Sequence, residues 1–394
     1  MSGALPRRRL MLVVTEDWYF WSHRLGLARA ARDAGWDVTV ATRVTDHGEA
    51  IRAEGFRLVP LRMTRRQSNP LREAAAILQL AAIYRRERPD VIHHVALKPA
   101  AYGSLAAMIA RAPIVVNMVA GLGGAFTGQG VKKAVARRVL RLAARVLFGN
   151  RRSRLIVQNR DDAAFFVDQG IVPAARVHRI PGSGVDCRHL TALPDAEGAP
   201  VAALVARMLW NKGIGATVEA ARILKARGVP LRLALVGRPD PSNPDSVPRE
   251  TLEAWQAEGL VEWWGYRDDI RKVWAEAHIA LLPTTYGEGI PKSLIEAAAC
   301  GRAIVTTDWP GCRDLVEHGA NGLLVPPRDA TALADALQRL AENPEERRSM
   351  GLAGRGIVEG AYALEAVNAA TLDIYDDMLT RPGAAKPAHT KSDG

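Results

Sequence analysis

The stretch YGEGIPKSLIEAAACG, residues Tyr286 to Gly301, decides the fold prediction. The apolar run Ile279 to Leu282 precedes it and is typical of a buried parallel strand. We predict that a helix begins at Pro291, because the first helical position tolerates a missing N–H. The amides of Gly289, Ile290 and the first helical turn then point out of the helix start, where they attract phosphate. The stretch therefore predicts a strand, loop and helix unit that binds an anion.

Two carboxylates frame this helix start. Glu288 lies on the loop and Glu296 about one and a half turns into the helix, with seven residues between them. With phosphate at the amides, carboxylates on either side accept hydrogen bonds from hydroxyl-rich groups, which is the layout of a nucleotide sugar. The bare spacing also suits an ordinary surface helix, so the surrounding strand and the Gly-Ile-Pro turn carry the prediction.

With its strand, turn and small-residue ending Ala-Ala-Ala-Cys-Gly, the stretch resembles the signature of glycosyltransferase family 4, whose members have the GT-B fold. The resemblance implies an α/β chain with two doubly wound, Rossmann-like domains that face each other across a cleft. It implies that Glu296 binds the ribose and Glu288 the donor sugar. It also implies retention of anomeric configuration by front-face attack, in which the leaving phosphate takes the acceptor proton, so Glu288 is not required as a nucleophile.

The rest of the chain predicts the same two-domain α/β organisation. At 394 residues it is too long for one ordinary core. Strand-like and helical patterns alternate in both halves, which predicts parallel sheets with helices on both faces. The predicted strands are residues 10–14, 37–41, 57–61, 91–95, 114–119 and 155–158, then 201–205, 231–236, 261–264, 279–282, 303–307 and 322–325. A polar loop with Thr15, Glu16 and Asp17 is expected after the first strand.

A run rich in Gly, Pro and Asp over residues 181–200 interrupts the alternation and reads as a linker. We predict four regions: an acceptor-binding Rossmann-like domain over residues 1–185, a nucleotide-sugar-binding Rossmann-like domain over 186–361, a helix over 362–380 that packs back on the first domain, and a disordered tail over 381–394.

Cations follow the predicted strands of the second half. Arg207 follows the first strand, and Lys212 lies in MLWNKG just before a helix. Two fixed cations at the carboxyl end of a parallel strand neutralise a diphosphate and stabilise the charge that builds as the glycosidic bond breaks, so no metal is needed. The resemblance implies the same roles for these two residues.

Further donor contacts are predicted near the same strand ends. Gly237 and Arg238 end the strand in LALVGR, although this assignment rests on position alone. The segment WWGYRDDI resembles the family segment that borders the base, so backbone groups around Tyr266 and Arg267 are predicted to contact the uracil. The two tryptophans in that segment also suit the core.

In the first half, polar residues and glycines follow the strands. His23 and Arg24 lie near a helix start, Lys98 follows a strand and opens a helix near Pro99, and Gly121 to Gly124 permit close backbone approach to a phosphate or sugar. The predicted acceptor contacts are His23, Arg24, Lys98 and Gly121, and the predicted donor contact is Gly123. A surface lysine, a packed histidine and a plain turn are the alternatives.

These loops, with LWNKG and VGRPDPSNPDS, resemble the family 4 subgroup that extends lipid-linked oligosaccharides, in which N-acetylgalactosamine is added to a bacillosamine on undecaprenyl diphosphate. In enzymes with that activity a histidine precedes the loop lysine, whereas this chain has Leu97 at that position. The identity of the donor sugar therefore stays open. The resemblance implies a UDP-sugar as substrate, a UDP-N-acetylhexosamine, with an undecaprenyl-diphosphate-linked glycan as acceptor and no cofactor.

The positive charge lies in the first half. Residues 1–190 carry a net charge of +17 and the remainder −6, for a total of +11. A basic half suits an anionic membrane surface, an anionic substrate or nucleic acid. Between Lys132 and Arg154, apolar residues and arginines recur at helical spacing on different faces, which predicts a basic amphipathic helix on the membrane. A domain helix with a solvated basic face is the alternative.

The expected location is the inner face of the cytoplasmic membrane. No run approaches the roughly twenty apolar residues of a span, and the N-terminal residues lack a signal-peptide core. Three scattered cysteines suit a reducing compartment. The alternative functions are a sugar-nucleotide epimerase with the same fold and a nucleotide-sugar-binding protein without transfer activity. We expect no nucleic-acid partner, because nucleic acid would not explain the charged cluster of the second half.

Overall fold

The computed structural model describes residues 8–65, 69–121 and 141–380, and the chain divides into two compact units. Unit 1 consists of residues 1–183 and 367–394, and unit 2 consists of residues 184–366. Each unit is built on one parallel sheet with helices in the connections between strands. The predicted α/β class with two doubly wound sheets is confirmed. Gly123, residues 132–140 of the predicted basic helix, and the predicted tail lie outside the described residues.

The sheet of unit 1 has the strand order β3-β2-β1-β4-β5-β6-β7. Its strands are β1 Arg9–Glu16, β2 Asp37–Arg43, β3 Arg57–Pro60, β4 Val91–Val95, β5 Val115–Val119, β6 Ser153–Val157 and β7 Val177–Arg179. The loop predicted at Thr15 and Glu16 was wrong, because both residues extend β1, and Glu16 pairs there with Arg43 of β2. Asp17 opens the next helix.

Alternate residues of the unit 1 strands enter two apolar layers, as the two-residue period of a strand requires. Leu10, Leu12 and Val14 lie in one layer, and Met11 and Val13 lie in the other. The helices are α1 Asp17–His23, α2 Leu25–Asp33, α3 Gly48–Ala53, α4 Pro70–Glu87, α5 Leu97–Ala110, α6 residues 141–148 and α7 Arg160–Asp168. Helices α4 and α5 cover the second layer.

The basic helix predicted up to Arg154 ends earlier. Residues 141–148 are helical, residues 149 and 150 are irregular, and residues 151 and 152 form a turn. Arg154 is a buried residue of β6 and pairs with Val116 of β5. The prediction was wrong beyond residue 148, because backbone pairing with β5 overrides the helical spacing of the arginines.

The sheet of unit 2 has the order β10-β9-β8-β11-β12-β13. Its strands are β8 Val201–Val205, β9 Arg232–Val236, β10 Glu262–Gly265, β11 Ile279–Leu282, β12 Ala303–Thr307 and β13 Gly322–Val325. Its helices are α8 Ile214–Ala226, α9 Arg249–Ala257, α10 Ile270–Glu276, α11 Lys292–Ala299, α12 Cys312–Leu315, α13 Ala330–Glu342 and α14 Pro344–Ile357. Strands β8 and β11 are apolar throughout, and β12 is buried throughout although it ends in two threonines, because a parallel sheet is covered on both faces.

The segment after Ser183 lies on unit 2. The Val185 amide donates to the Tyr362 carbonyl at 3.0 Å, and the Leu193 amide donates to the Cys300 carbonyl at 3.1 Å. One-turn helices cover Ala174–Arg176, Trp210–Lys212 and Val358–Tyr362, and α15 covers Leu364–Thr380. From Val367 onward α15 belongs to unit 1, where Tyr375 is fully buried in the layer that contains Leu10. Within the described ranges, no helix is both long and apolar enough to cross a bilayer.

Candidate active site

Four loops meet at the carboxyl edge of the unit 2 sheet, where neighbouring parallel strands end together. The loop after β8 carries Arg207 and Lys212, and the loop after β11 carries Glu288. The loops after β9 and β10 carry Arg238 and Tyr266. Helix α11, which carries Glu296, begins directly after the β11 loop. The sheet order β10-β9-β8-β11 therefore places all predicted donor residues of the described chain along one edge.

Lys212 and Glu288 form an ion pair, although they are far apart in sequence. The Lys212 Nζ donates to Glu288 Oε1, and the two side chains are only 13% and 16% exposed. The Thr284 Oγ1 lies 3.2 Å from the same carboxylate oxygen. Glu288 thus holds the lysine in one position, and the surrounding loop holds Glu288.

Arg207 is held in a similar way by a carboxylate that the sequence analysis did not single out. Its Nη1 lies 2.6 Å from Asp240 Oδ2, and the Ser242 hydroxyl donates to Asp240 Oδ1 at 2.6 Å. Burial raises the pKa of Asp240, but the hydrogen bonds from Ser242 and Arg207 outweigh it and keep that pKa below its ordinary value. Asp240 is therefore ionised at neutral pH.

Glu296 lies on the second turn of α11. Its carboxylate is 3.3 Å from the Nζ of Lys292, one turn earlier, and its side chain is mostly buried. Burial raises the pKa of Glu296, and Lys292 opposes that rise only in part. Pro291 was predicted as the first helical residue, but it is the N-cap with an extended ψ of 117°, and Lys292 is the first helical residue. Gly289 and Ile290 are buried immediately before this cap.

Two glycines bring the loops into backbone contact. A Cβ on Gly213, at φ +81°, would lie 2.1 Å from the Pro283 carbonyl oxygen. A Cβ on Gly311, at φ +85°, would lie 1.7 Å from the carbonyl oxygen of Gly289. Only glycine permits these contacts. They fasten the Lys212 loop and the loop after β12 to the loop that carries Glu288.

The predicted base-binding residues are only partly brought together. The Trp263 Nε1 donates to the Gly237 carbonyl at 2.9 Å, and the Arg238 guanidinium lies 4.8 Å from the centre of the exposed Tyr266 ring. Arg267 turns elsewhere, toward the Trp264 ring at 5.6 Å. Gly237, Arg238 and Tyr266 therefore form a group, and Arg267 lies beside it.

The predicted acceptor residues of unit 1 differ in the contacts that they make. The Lys98 Nζ lies 2.9 Å from Glu73 Oε1 of α4 and 5.1 Å from the centre of the Tyr102 ring. The His23 ring stacks on the Tyr19 ring at 4.2 Å. Gly121, at φ +92°, follows β5 closely. Lys98 and Gly121 thus follow the neighbouring strands β4 and β5, and His23 ends the helix that follows β1.

Arg24 is only 3% exposed. Its Nη2 contacts Met118 Sδ at 2.8 Å, and burial lowers the pKa of the guanidinium. The structure gives Arg24 a packing position inside unit 1, and its role as an acceptor contact stays a prediction.

Ala96, which connects β4 to α5, has a backbone conformation that normally requires glycine. Its φ is 80° and its ψ is 162°. The strand-side hydrogen bond from the Ala96 amide to the Met118 carbonyl, at 2.9 Å, and the helix-side bond from the Ala100 amide to the Ala96 carbonyl hold it there. Backbone strain of this kind is concentrated at functional sites. In this chain the strained residue, Ala96, lies two residues before Lys98.

Comparison with known proteins agrees with this architecture. Residues 9–158 match the family model described as glycosyl transferase 4-like, and residues 199–343 match the model described as glycosyl transferases group 1. The chain is therefore a glycosyltransferase with the GT-B fold, with a glycosyl transferase 4-like match in its first half and a glycosyl transferases group 1 match in its second. It is a glycosyltransferase of polysaccharide or glycan biosynthesis, and the epimerase and binding-protein alternatives are not supported.

Three similar proteins are informative. N,N'-diacetylbacillosaminyl-diphospho-undecaprenol alpha-1,3-N-acetylgalactosaminyltransferase from Campylobacter jejuni is 26% identical over 83% of this chain and 88% of its own length. The amylovoran biosynthesis glycosyltransferase AmsK from Erwinia amylovora is 34% identical over 43% of each chain. The crystal structure of Anabaena HepE with UDP and glucose has a TM-score of 0.76 and 18% identity over 94% of this chain and all of its own.

Proposed function

We propose that this protein transfers an N-acetylhexosamine from a UDP-sugar to an undecaprenyl-diphosphate-linked glycan, with retention of configuration and without a metal. One observation carries the proposal: Lys212 and Arg207 are held by carboxylates at the strand ends of unit 2, the edge at which the helix that carries Glu296 begins. The name of the Campylobacter relative describes a diphospho-undecaprenol acceptor, and the Anabaena structure contains UDP and glucose. These names support the donor and acceptor classes.

The two cations suit a leaving diphosphate. In the free protein each is fixed by one carboxylate oxygen, so little side-chain reorganisation is needed when the diphosphate arrives. As the bond from the anomeric carbon to the UDP oxygen breaks, its electron pair stays on the diphosphate. Lys212 and Arg207 stabilise that negative charge, which is the role a divalent metal has in other transferases.

Glu288 binds and positions rather than attacks. Its Oε1 already accepts from Lys212 and lies close to the Thr284 hydroxyl, which lowers its reactivity as a nucleophile. The acceptor hydroxyl forms the new bond on the face that the diphosphate leaves, and its proton passes to the leaving phosphate oxygen. No covalent glycosyl-enzyme is formed in this sequence, so one displacement gives retention.

Glu296 accepts hydrogen bonds from the ribose. A carboxylate that is largely buried gains more from two hydroxyl donors than an exposed one, since it has lost most of its water. Lys292 keeps a cation beside it. Gly237, Arg238 and Tyr266 then border the base, with Arg267 next to them, and Gly289 and Ile290 border the diphosphate and the sugar.

Unit 1 supplies the acceptor side. We assign the acceptor contacts to His23, Arg24, Lys98 and Gly121. Lys98, which follows β4, is the most direct of these contacts because Glu73 of α4 fixes its ammonium group. An undecaprenyl-linked acceptor stays in the bilayer, so the protein works at the inner face of the cytoplasmic membrane. The charge of +17 over residues 1–190 supports that location.

The test is a transfer assay. Purified protein is incubated with single UDP-N-acetylhexosamines and an undecaprenyl-diphosphate-linked disaccharide, with and without chelator, and the product is sized by mass spectrometry. We expect a gain of one N-acetylhexosamine with an α-linkage by NMR, equal with and without chelator. A metal requirement or a β-linked product from an α-linked donor contradicts the proposal.

A further inference from the structure

Helix α1 carries aromatic side chains to which the proposed function assigns no role. Trp18, Tyr19, Phe20 and Trp21 are consecutive, and α1 begins directly after β1, at the carboxyl edge of the unit 1 sheet. Phe20 is fully buried, whereas the other three side chains are half-buried. Ligands of open parallel sheets bind at this edge. Three half-buried aromatic rings therefore lie where a ligand of unit 1 is expected.

These rings and two histidines form a group with a defined geometry. The His23 ring stacks on the Tyr19 ring at 4.2 Å, with the two planes 2° apart. The Trp18 ring meets the Tyr19 ring edge-on at 5.8 Å, and the Trp21 ring lies 5.6 Å from the His47 ring. We call these five residues the α1 ring cluster. Because the planes of Trp18 and Tyr19 are 74° apart, the two rings form a corner.

Trp18 is the member of the cluster that core packing explains least. Tyr19 and Trp21 pack on the apolar layer that contains Leu10, but Trp18 belongs to none of the apolar clusters within the described ranges. The Arg65 guanidinium lies over the Trp18 ring, 5.6 Å from its centre. A tryptophan that is half-exposed beside a cation contributes little to a core, and this favours a role in binding.

A buried carboxylate holds the cluster in place. Asp17, which is fully buried, accepts from the Thr45 amide at 2.7 Å and from the His47 amide at 2.9 Å. Burial raises the pKa of Asp17, but the hydrogen bonds from Thr45 and His47 outweigh it and keep that pKa below its ordinary value. The start of α1 is thereby tied to the loop that carries His47. A cluster that is already ordered loses little entropy when a ligand binds.

The charge around the cluster suits a neutral ring. Glu16 is 6% exposed and lies 3.3 Å from Arg43, and Asp17 is engaged by the loop after β2. The seven residues of α1 include no Lys or Arg, whereas proteins that stack nucleic-acid bases line the same groove with cations. A sugar ring has an apolar C–H face that fits an aromatic ring, and hydroxyls at its edge that accept from His23 or Arg65. A hydrocarbon chain would use neither donor.

We propose that the α1 ring cluster binds the terminal sugar of the glycan acceptor, with the sugar ring stacked on Trp18. The enzyme then selects its acceptor by the sugar as well as by the lipid diphosphate. This inference rests on the proposed function and deepens it, because it names the part of the acceptor that α1 holds. His23 was already assigned as an acceptor contact, and the aromatic residues are new.

The experiment measures steady-state transfer to two acceptors that carry the same disaccharide, one on undecaprenyl diphosphate and one on a short, water-soluble alkyl diphosphate. Trp18→Ala is expected to raise KM for both acceptors about tenfold, the effect of one aromatic contact, with kcat within about threefold of the wild type. Trp18→Leu keeps apolar bulk without a ring and is expected to behave in the same way, whereas Trp18→Phe should retain most of the affinity. The matched control is Phe165→Ala, which removes a half-buried ring of α7 and should leave both KM values unchanged.

Folding and donor binding are measured on the same preparations through the thermal midpoint with and without UDP-sugar. Saturation-transfer NMR with methyl glycosides of hexoses and N-acetylhexosamines measures sugar binding without any transfer. A raised KM for both acceptors in Trp18→Leu, with a normal midpoint and a normal UDP-sugar shift, supports the proposal. Unchanged KM values in Trp18→Ala and Trp18→Leu overturn it while the proposed function stands.

The remaining outcomes separate the ring cluster from the lipid and from the reaction. A raised KM for the undecaprenyl acceptor without a change for the short acceptor assigns Trp18 to the lipid and overturns the proposal. Wild-type protein that transfers no sugar but gives an NMR signal that Trp18→Leu lacks contradicts the proposed function and leaves the ring cluster intact. Wild-type protein with neither transfer nor a sugar signal contradicts both.

Discussion

The strand-end loops of unit 2 and residues 91–160 of unit 1 differ in their balance of charged residues. In unit 2, Lys212 and Arg207 each contact a carboxylate and are only partly exposed. In unit 1, residues 91–160 contain no carboxylate at all. A paired cation is held in one geometry and suits one small ligand. A segment that is rich in cations suits a broad negative partner, and the attraction falls with salt.

Lys212→Ala is the strongest test of the carboxylate-paired cations in unit 2. Removal of the cation takes away stabilisation that matters most as the diphosphate leaves, and it also removes the ion pair with Glu288. We expect kcat for sugar transfer to fall about 10²- to 10³-fold. Steady-state transfer kinetics at saturating UDP-sugar measure it.

Lys225→Ala is the matched control, because the Lys225 Nζ on α8 only caps the Glu258 carbonyl on the surface of unit 2. Its kcat is expected to stay within about twofold of the wild type. Equal rates for Lys212→Ala and Lys225→Ala would show that the paired lysine has no part in the reaction.

Gly311→Ala tests whether the site at the strand ends of unit 2 depends on rigid contacts between its loops. The added methyl group meets the Gly289 carbonyl oxygen at 1.7 Å, in a backbone conformation at φ +85° that disfavours alanine. We expect a loss of about 3 kcal/mol in the free energy of unfolding and a loss of UDP-sugar binding. Urea denaturation and thermal shift measure the two effects.

Gly319→Ala separates the effect of the positive φ from the effect of the methyl contact, since Gly319 has φ +84° but no atom within 4 Å of an added Cβ. It is expected to cost about 1–2 kcal/mol and to leave UDP-sugar binding unchanged. If Gly311→Ala binds UDP-sugar normally, loop contact is not what positions the site.

Glu296→Gln and Asp240→Asn are predicted to have opposite pH signatures. Burial raises the pKa of Glu296, so the folded state holds its proton more tightly, and stability falls as pH rises from the ordinary glutamate pKa through the raised one. Glu296→Gln should remove that fall. The pKa of Asp240 is lowered, so its stabilisation is lost as pH falls through the lowered value, and Asp240→Asn should remove that loss. Free energies of unfolding measured from acidic to neutral pH give both slopes, and slopes of the same sign contradict the assignment.

Ala96→Gly is expected to have the smallest effect. Glycine adopts a φ of 80° without strain, so the variant should gain about 1 kcal/mol in the free energy of unfolding. Ala101→Gly, inside α5, should lose about 1 kcal/mol. Urea denaturation of both variants checks the signs, and a loss in both would mean that Ala96 is not strained.

The strands of this fold were predictable where burial is complete. Strands β4, β8, β11, β12 and β13 lie at the predicted residues, because β8, β11 and β13 are apolar or glycine throughout and β4 and β12 are rich in buried β-branched residues. The three-residue strand β7 was missed, since Val177–Arg179 has two polar residues and no periodic signal. Helix α6 was predicted too long, because strand pairing at Ser153 outweighs arginine spacing.

The candidate site was predictable only one residue at a time. Position after a strand and family resemblance pointed to Lys212, Glu288 and Arg207, but their partners depend on tertiary contacts. Asp240 lies 33 residues from Arg207, and no local pattern joins the two. The burial of Arg24 was also not visible, because a residue between two short helices gives no sign of which way it turns.

The most direct test of the donor site is thermal stabilisation by a panel of UDP-, GDP- and dTDP-sugars, with and without chelator. We predict an upward shift of the midpoint with a UDP-sugar, unchanged by chelator in the wild type and absent in Glu296→Ala. No shift of the folded wild-type protein with any nucleotide sugar would contradict a donor site at the strand ends of unit 2.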